Sequence, residues 1–457
     1  MEFRNLTPFP ALAYSALDAD DQVYRVVVMR VSYRLQSIPG APGQYIAAVV
    51  DRSPPPLCLA DEFWGDMNVS SPRYESDLSP FKPRCDVIVN ATAYAPGGSL
   101  RRRFDVRLTL REPDRTDRAE PRASRVPSGR GVPEARVLID KTLSVCGERA
   151  FQPQGGMWKL IDGVTAGMTL GAARLNPWSL TEPALFRELP IRYEYAFGGQ
   201  CRIEADSEAA DRVPAKYRLT QEQLIDHPDR DRPPVAHTAF KPNPLGRGFV
   251  EPWYLHALRP RELPAPRIEL AAHPVTADHF WRALRGGIDP EDPAFLPAGL
   301  GLIGRPWSPR LARAGTYDQA WLEHRHPYLP KDFDFGYWNG ASDDQQIAYP
   351  PPDIEIELTH LTPDGTLRTR LPGHRAFVLA WFEGGVPIPM RAWIDTLIID
   401  AEERVVTCLW RCLVPAALPV EMLEARFEID PSAPLLKWMA PSIDIAQETA
   451  ERYDHES

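Results

Sequence analysis

The sequence predicts a mainly β fold of the α+β class, with antiparallel, strand-rich sheets forming a sandwich or barrel around a central irregular segment of short helices. Segments near both ends of the chain alternate apolar and polar residues with a period of two, which is typical of antiparallel strands with one buried face. The 457-residue chain also contains 49 prolines, roughly twice the usual proportion. Because proline fixes φ and removes a backbone donor, long helices are disfavoured.

The first strong alternation runs from residue 23 to residue 35. Its apolar positions predict a buried face, and Arg30, Ser32 and Arg34 are expected to face water. A cleaner alternation follows at 104–111, where Phe, Val and Leu residues alternate with charged residues and threonine. Both segments are therefore predicted to be half-buried strands of antiparallel sheets.

Two further strands are predicted at 85–96 and 135–149. The segment 112–133, between the strands predicted at 104–111 and 135–149, is charged, rich in Pro and Gly, and without periodicity. These features predict a mobile loop.

The middle of the chain differs from both ends because its apolar residues follow neither a strand nor a long-helix pattern. Short helices are predicted at 219–227 and at 275–286, where Thr276 is suited to cap the second helix. The remaining Gly-, Pro- and aromatic-rich chain is expected to pack over a sheet, because its Trp and Phe side chains require burial.

Strands resume after residue 350, and a hairpin is predicted across Asp400–Arg404. The resulting division of the chain has four parts. They are an N-terminal β-rich part (1–200), a central loop and short-helix segment packed on the sheets (201–345), a C-terminal β-rich part (346–440) and a polar tail (441–457).

Composition narrows the classes of function. The net charge of −10 and a pI near 5.6 argue against a nucleic-acid-binding or anionic-membrane-binding surface. No apolar run approaches the length of a membrane span, and the start of the chain lacks the basic and apolar regions of a secretory signal. Six scattered cysteines without a C-x-x-C pair favour reduced thiols, so a cytoplasmic location is expected.

The segment 315–346 concentrates carboxylates, histidines and aromatic residues. His324 and His326, with Asp332 or Asp334, could form a divalent metal site for a hydrolase or lyase. The alternative is a structural role, in which Thr316 caps a short helix and prolines end it. In that alternative, the aromatic side chains are expected to be buried against the sheet, namely Tyr317, Trp321, Phe333 and Phe335.

One sequence match suggests a nucleotide cofactor. Residues 299–304 fit G-x-G-x-x-G, but Pro297 precedes them and Arg305-Pro306-Trp307 follows. A dinucleotide site needs a strand before the glycines and a long helix after them. The match is therefore interpreted as a turn, and no cofactor is expected.

Several motifs in sequence order resemble a known bacterial family. They are NLTPFPAL, SDLSPFKPRCDVIVNATAYAPGG (76–98), LIDKTLSVCGER (138–149), IRYEYAFGG (191–199), NPLGRGF (243–249), PAGLGLIGRPWSPR (297–310), GTYDQAW with LPKDFD (315–334), NGASDDQQ, LPG (371–373) and DTLIID with LWR (395–411). As a set, these motifs resemble the family catalogued as domain of unknown function 2169. The resemblance marks seven signature positions without assigned roles: Thr316, Tyr317, Asp318, Trp321, Pro330, Asp332 and Asp334.

The resemblance implies a cytosolic, non-enzymatic adaptor or chaperone. Such a protein would bind a type VI secretion effector and promote its loading onto the PAAR-type tip and, with it, the trimeric spike. The acidic balance of the chain would complement a basic region of such an effector. Two alternatives stay open, namely the metal-dependent hydrolase or lyase at 315–346 and a permanent structural component of the secretion apparatus.

Overall fold

The computed structural model describes residues 1–113, 136–155, 158 and 176–435, apart from the single positions 19, 226, 228, 230, 290, 384 and 386. The loop predicted at 112–133 lies almost entirely outside the described residues. The polar tail predicted at 441–457 lies wholly outside them.

The predicted mainly β class is confirmed, because strands greatly outnumber helical turns along the described chain. The strands are β1 (Glu2–Asn5), β2 (Ala11–Leu17), β3 (Val23–Ser37), β4 (Gln44–Val49), β5 (Glu62–Phe63), β6 (Pro72–Tyr74), β7 (Cys85–Asn90), β8 (Thr92–Tyr94), β9 (Arg103–Arg111), β10 (Val137–Cys146), β11 (Ala150–Pro153), β12 (Trp178–Leu180), β13 (Glu188–Pro190), β14 (Phe197–Gly198), β15 (Gln200–Glu204), β16 (Pro234–Ala239), β17 (Arg247–Gly248), β18 (Leu263–Pro264), β19 (Ile268–Leu270), β20 (Gln346–Ile347), β21 (Glu355–Thr359), β22 (Thr366–Arg370), β23 (Arg375–Phe382), β24 (Pro387–Arg391), β25 (Trp393–Asp400), β26 (Val405–Pro415) and β27 (Val420–Glu428).

The five helices are short and lie between residues 221 and 324 of the described chain. They are α1 (Gln221–Ile225), α2 (Pro252–Leu258), α3 (Ala277–Gly286), α4 (Ser308–Leu311) and α5 (Gln319–His324). Single 3₁₀ turns occur at Pro96–Gly98, Tyr193–Tyr195, Ala210–Arg212, Ala215–Tyr217, Pro293–Phe295, Phe335–Trp338 and Asp343–Gln345. None of these helices is both long and apolar enough to cross a membrane.

The main sheet has twelve strands, in the order β19-β10-β9-β21-β22-β4-β3-β26-β25-β7-β20, with β2 paired to one half of β3. Most neighbours are antiparallel, whereas β4 with β22 and β7 with β25 are parallel. Strands from the two ends of the chain alternate in this order. The N-terminal and C-terminal strand-rich parts therefore build one sheet together.

A second sheet has the order β1-β27-β23-β24. Its inward side chains, which include Val378, Leu423 and Ala425, join those of the main sheet in one hydrophobic core. Val31 on β3 and Leu397 on β25 belong to the same core and are fully buried. The described chain therefore contains a sheet-on-sheet interior of the kind that the alternation predicts.

The prediction that Arg30 and Ser32 face water is wrong. Arg30 is 8 % exposed and Ser32 is fully buried. Arg30 donates to Asp77 at 2.9 Å, and the Ser32 and Thr407 hydroxyls lie 2.9 Å apart across β3 and β26. The chain before β7 covers this face, so β3 is buried on both sides over residues 26–33, and Arg30 and Ser32 have hydrogen-bond partners there. Arg34 is exposed, as predicted.

Three predictions from local sequence signals are confirmed in whole or in part. Thr276 caps α3 as predicted, and its side chain and His279 form a reciprocal capping box. The helix predicted at 219–227 is present but shorter, as α1. The hairpin predicted across Asp400–Arg404 joins β25 to β26.

Candidate functional site

The signature segment, residues 315–346, begins with a contact between Thr316 and Asp332. The Asp332 carboxylate accepts hydrogen bonds from the Thr316 amide at 3.0 Å and from its hydroxyl at 2.7 Å. These bonds lower the pKa of Asp332, because they favour the charged carboxylate. The prediction that Thr316 caps a helix is wrong, since its hydroxyl serves this loop contact.

Asp318 occupies the capping position of α5 and accepts a hydrogen bond from the Trp321 amide at 2.8 Å. Trp321 is half-buried, and its indole N–H donates to the Tyr328 carbonyl at 2.9 Å. Tyr317 packs edge-on against Trp321 but is 53 % exposed. The predicted burial of Tyr317 is therefore wrong, because the ring rests on α5 rather than on the sheet.

The last signature positions also serve the local backbone. Pro330 is buried, and its carbonyl accepts from the amide of Phe333, which is itself buried. Asp334 caps the 3₁₀ turn that contains Phe335 and accepts from the Gly336 amide at 2.8 Å. Asp332 and Asp334 thus bond to different backbone segments.

The histidines of this segment do not join its carboxylates in a ligand set. His324 is exposed beside Glu323, and the His326 ring packs on Trp321. Within the described ranges, no group of three or more His, Cys, Asp or Glu side chains is placed to hold a metal ion.

The end of the signature segment is fixed to the main sheet through the buried carboxylate of Asp86 on β7. Asp86 accepts from the Asn339 side-chain amide at 3.0 Å and from the amides of Gly340 and Ala341 at 3.0 and 3.2 Å. Lys82 donates to the same carboxylate at 2.7 Å. Four donors therefore converge on one carboxylate, which holds the central segment on the sheet.

Lys82 also lines an open groove of about 340 Å³ between β24 of the second sheet and the main sheet. Its volume lies in the range of ligand pockets, which are mainly apolar with a few convergent polar groups. The groove is lined by Phe81, Lys82, Tyr349, Met390, Arg391, Trp393, Asp395, Arg411 and Leu413. We call it the β24 groove.

The floor of the β24 groove is an ion pair between Arg411 on β26 and Asp395 on β25, both almost fully buried. Arg411 also donates to the Tyr14 hydroxyl at 2.7 Å and to the Asp77 carbonyl at 3.1 Å. Burial raises the pKa of Tyr14 from its ordinary value of 10.0 to about 12. The floor is thus polar and rigid, and its charged side chains are paired with each other.

The mouth of the groove is aromatic and cationic. The Arg391 guanidinium lies 3.6 Å from the centre of the Trp393 ring, and Tyr349 packs against that ring at 5.6 Å. Trp393 remains 38 % exposed. Partial burial lowers the pKa of Arg391, although the guanidinium stays charged at physiological pH.

The signature segment packs against residues that line the groove. Phe335 packs edge-on against Phe81 in the groove wall, with ring centres 5.7 Å apart. Asn339 holds Asp86, which in turn pairs with Lys82. None of the seven signature positions lines the groove.

A family model for an uncharacterized protein conserved in bacteria, domain of unknown function 2169 (DUF2169), matches residues 20–411. The chain belongs to this DUF2169 family. No curated protein and no solved structure matches the chain. The DUF2169 match covers β3 to β26 through Arg411, and so includes the floor and mouth of the β24 groove.

The sequence interpretation did not select the groove residues as a site. Lys82, Asp395 and Arg411 lie inside the motifs that carry the resemblance, whereas Arg391 and Trp393 lie outside them. The available signal was a charged residue within an apolar strand, as at Asp395 in WIDTLIID and Arg411 in LWRCL. In a strand buried on both faces, such charges must pair.

Proposed function

We propose that this DUF2169 protein is a cytoplasmic adaptor or chaperone that binds a type VI secretion effector. It promotes loading of the effector onto the PAAR-type tip and the trimeric spike. The proposal starts from the role that the family resemblance implies. The structural feature that favours it is the β24 groove, which offers exposed aromatic and apolar surface over a rigid, fully paired floor.

This geometry suits binding of a protein segment. Peptide-binding sites combine apolar pockets with fixed polar groups, and aromatic and arginine side chains dominate binding energy at such surfaces. Trp393, Arg391 and Met390 supply these side chains beside an edge strand. The floor pair of Arg411 and Asp395 keeps the surface in one conformation, so little ordering entropy is lost on binding.

Co-expression with the effector encoded beside the gene tests the binding step. The expected result is a stoichiometric complex that survives size-exclusion chromatography. Separate elution of two folded proteins at micromolar concentration would contradict the proposal.

A further inference from the structure

The charges of the β24 groove do not balance at its mouth. Arg411 is neutralised by Asp395, and Lys82 is neutralised by Asp86 beneath it. Arg391 has the Trp393 ring as its neighbour and no carboxylate partner among the residues that the structure describes. One net positive charge therefore remains at the mouth, on a chain whose overall charge is −10.

The edge of β24 is poorly suited to strand addition. β24 contains Pro387 and Pro389, and Pro389 pairs with Leu379 on β23. Because proline has no N–H, it fits this position only where the backbone nitrogen points away from β23, toward the open edge. The open edge therefore lacks donors at two alternate residues, which is a known way of suppressing edge pairing.

The space beside this edge is suited to a side chain instead. Phe81, Tyr349, Met390 and Leu413 supply its apolar walls, and the volume of about 340 Å³ accommodates a large aromatic group. The exposed face of Trp393 and the guanidinium of Arg391 lie together at the rim. An aromatic side chain can thus enter the groove while a neighbouring carboxylate pairs with Arg391.

From this charge complementarity, we infer that the β24 groove recognises an acidic segment of a partner protein. A large apolar side chain of the segment, preferably tryptophan, fills the groove, and an adjacent aspartate or glutamate forms an ion pair with Arg391. The inference rests on the proposed function only in taking the effector as the source of the segment. It contrasts with the basic partner region that the overall acidity of the chain suggests.

The direct test uses short peptides and ligand-detected NMR. We expect acetyl-Gly-Trp-Asp-Gly-amide to bind the full-length protein and the Asn analogue to bind about tenfold more weakly, because the ion pair with Arg391 is lost. Raising the salt concentration should weaken binding of the Asp peptide alone. Equal binding of the Asp and Asn peptides, or equally tight binding of indole-3-acetate, would overturn the inference.

Charge reversal gives a second test that does not depend on loss of binding. Arg391→Glu should reject the Asp peptide and favour the Lys analogue, whereas Trp393→Leu should weaken both. Arg285→Glu is the matched control and should keep the wild-type preference, since Arg285 also lies near a tryptophan ring, that of Trp281 on α3, outside the groove. An Arg391→Glu protein that melts like wild type but keeps the wild-type preference would overturn the inference.

The effector itself separates this inference from the proposed function. If wild type binds the effector and Arg391→Glu binds it equally well without competition from the Asp peptide, the groove inference fails and the adaptor function stands. If wild type binds the Asp peptide but not the effector, the adaptor function fails and the groove specificity stands.

Discussion

Lys82 Nζ lies 2.7 Å from Asp86 Oδ2, and both side chains are buried between the β24 groove and the signature segment. Lys82 also donates to the Thr396 hydroxyl at 2.9 Å, so it bridges β25 and the chain before β7. Asp86 receives the three N–H donors of residues 339–341. This pair therefore couples the groove to the central segment through one carboxylate.

Asp86→Asn should destabilise the protein strongly. It leaves the Lys82 ammonium buried without a counter-charge and places an amide N–H₂ among donors. Breaking one side of a buried pair costs about 3–5 kcal/mol. The free energy of unfolding from urea titration measures this loss.

The matched control is Asp140→Asn, at the exposed pair of Asp140 with Arg107 on β10 and β9. Arg107 lowers the pKa of Asp140, but solvent screens the pair. The expected cost is therefore below about 1 kcal/mol. Equal losses for the two variants would contradict the role assigned to Asp86.

Two tryptophans should differ in their contribution to stability. Trp253 on α2 is 2 % exposed and packs against Tyr217 and Tyr254, so Trp253→Ala should cost about 3–5 kcal/mol. Trp321 is half-buried, and Trp321→Ala should cost only about 1–2 kcal/mol. Thermal and urea unfolding measure the stability of both variants. A larger loss of stability for Trp321→Ala than for Trp253→Ala would contradict this prediction and would mean that α5 covers the core.

Close backbone contact requires glycine at position 198. Gly198 on β14 has φ +149°, and a Cβ there would lie 2.1 Å from the Asn243 carbonyl oxygen. A Cβ at Gly301, by contrast, would meet no atom within 4 Å. Gly198→Ala should therefore lower the unfolding free energy by about 1–3 kcal/mol or more, and Gly301→Ala should leave it nearly unchanged. Similar melting temperatures for the two variants would exclude this contact.

Alkaline pH should destabilise the fold through two half-buried tyrosines. Burial raises the pKa values of Tyr14 and Tyr349 to about 12, above the ordinary value of 10.0. Their stabilising contribution is complete below the unfolded-state pKa and is lost as the pH rises from about 10 through about 12. The double variant Tyr14→Phe with Tyr349→Phe should lose less stability over this range. Urea titrations at several pH values measure the free energy of unfolding. The same pH dependence in wild type and in the double variant would contradict the raised pKa values of these two tyrosines.

The signature carboxylate Asp332 should not matter for effector binding. It is exposed, bonded to Thr316 and not part of the groove lining. Asp332→Asn should therefore leave the amount of co-eluting effector unchanged. A folded Asp332→Asn protein that fails to bind the effector would assign a functional role to this loop.

The sequence was sufficient to predict the fold class and several local elements. Period-two alternation predicts β9, and the Thr276 signal predicts the start of α3, because both depend on neighbouring residues. The sequence does not predict that β3 pairs with β26 or that β7 pairs with β25. Those contacts join residues that are hundreds of positions apart, so no local pattern specifies them.

The failure to predict the buried charges of the main sheet has one physical cause. Alternation predicts that the polar residues of a strand face water. In this protein the central segment and the chain before β7 cover the polar face of the main sheet. Arg30 is therefore buried and paired with Asp77. Asp395 and Arg411 pair in the same way beneath the groove. The acids of 315–346 instead bond to nearby backbone, as Asp334 does with Gly336, or pair with a basic residue of another element, as Asp344 does with Lys141.

The most direct test of the account is effector loading on the spike. The effector, its PAAR-type tip and the trimeric spike are co-expressed with or without this protein, and the effector that co-purifies with the spike is quantified. We expect the effector to co-purify efficiently with the spike only when this protein is present, and less effector to co-purify with Arg391→Glu. Equal recovery with and without the protein would contradict the central claim.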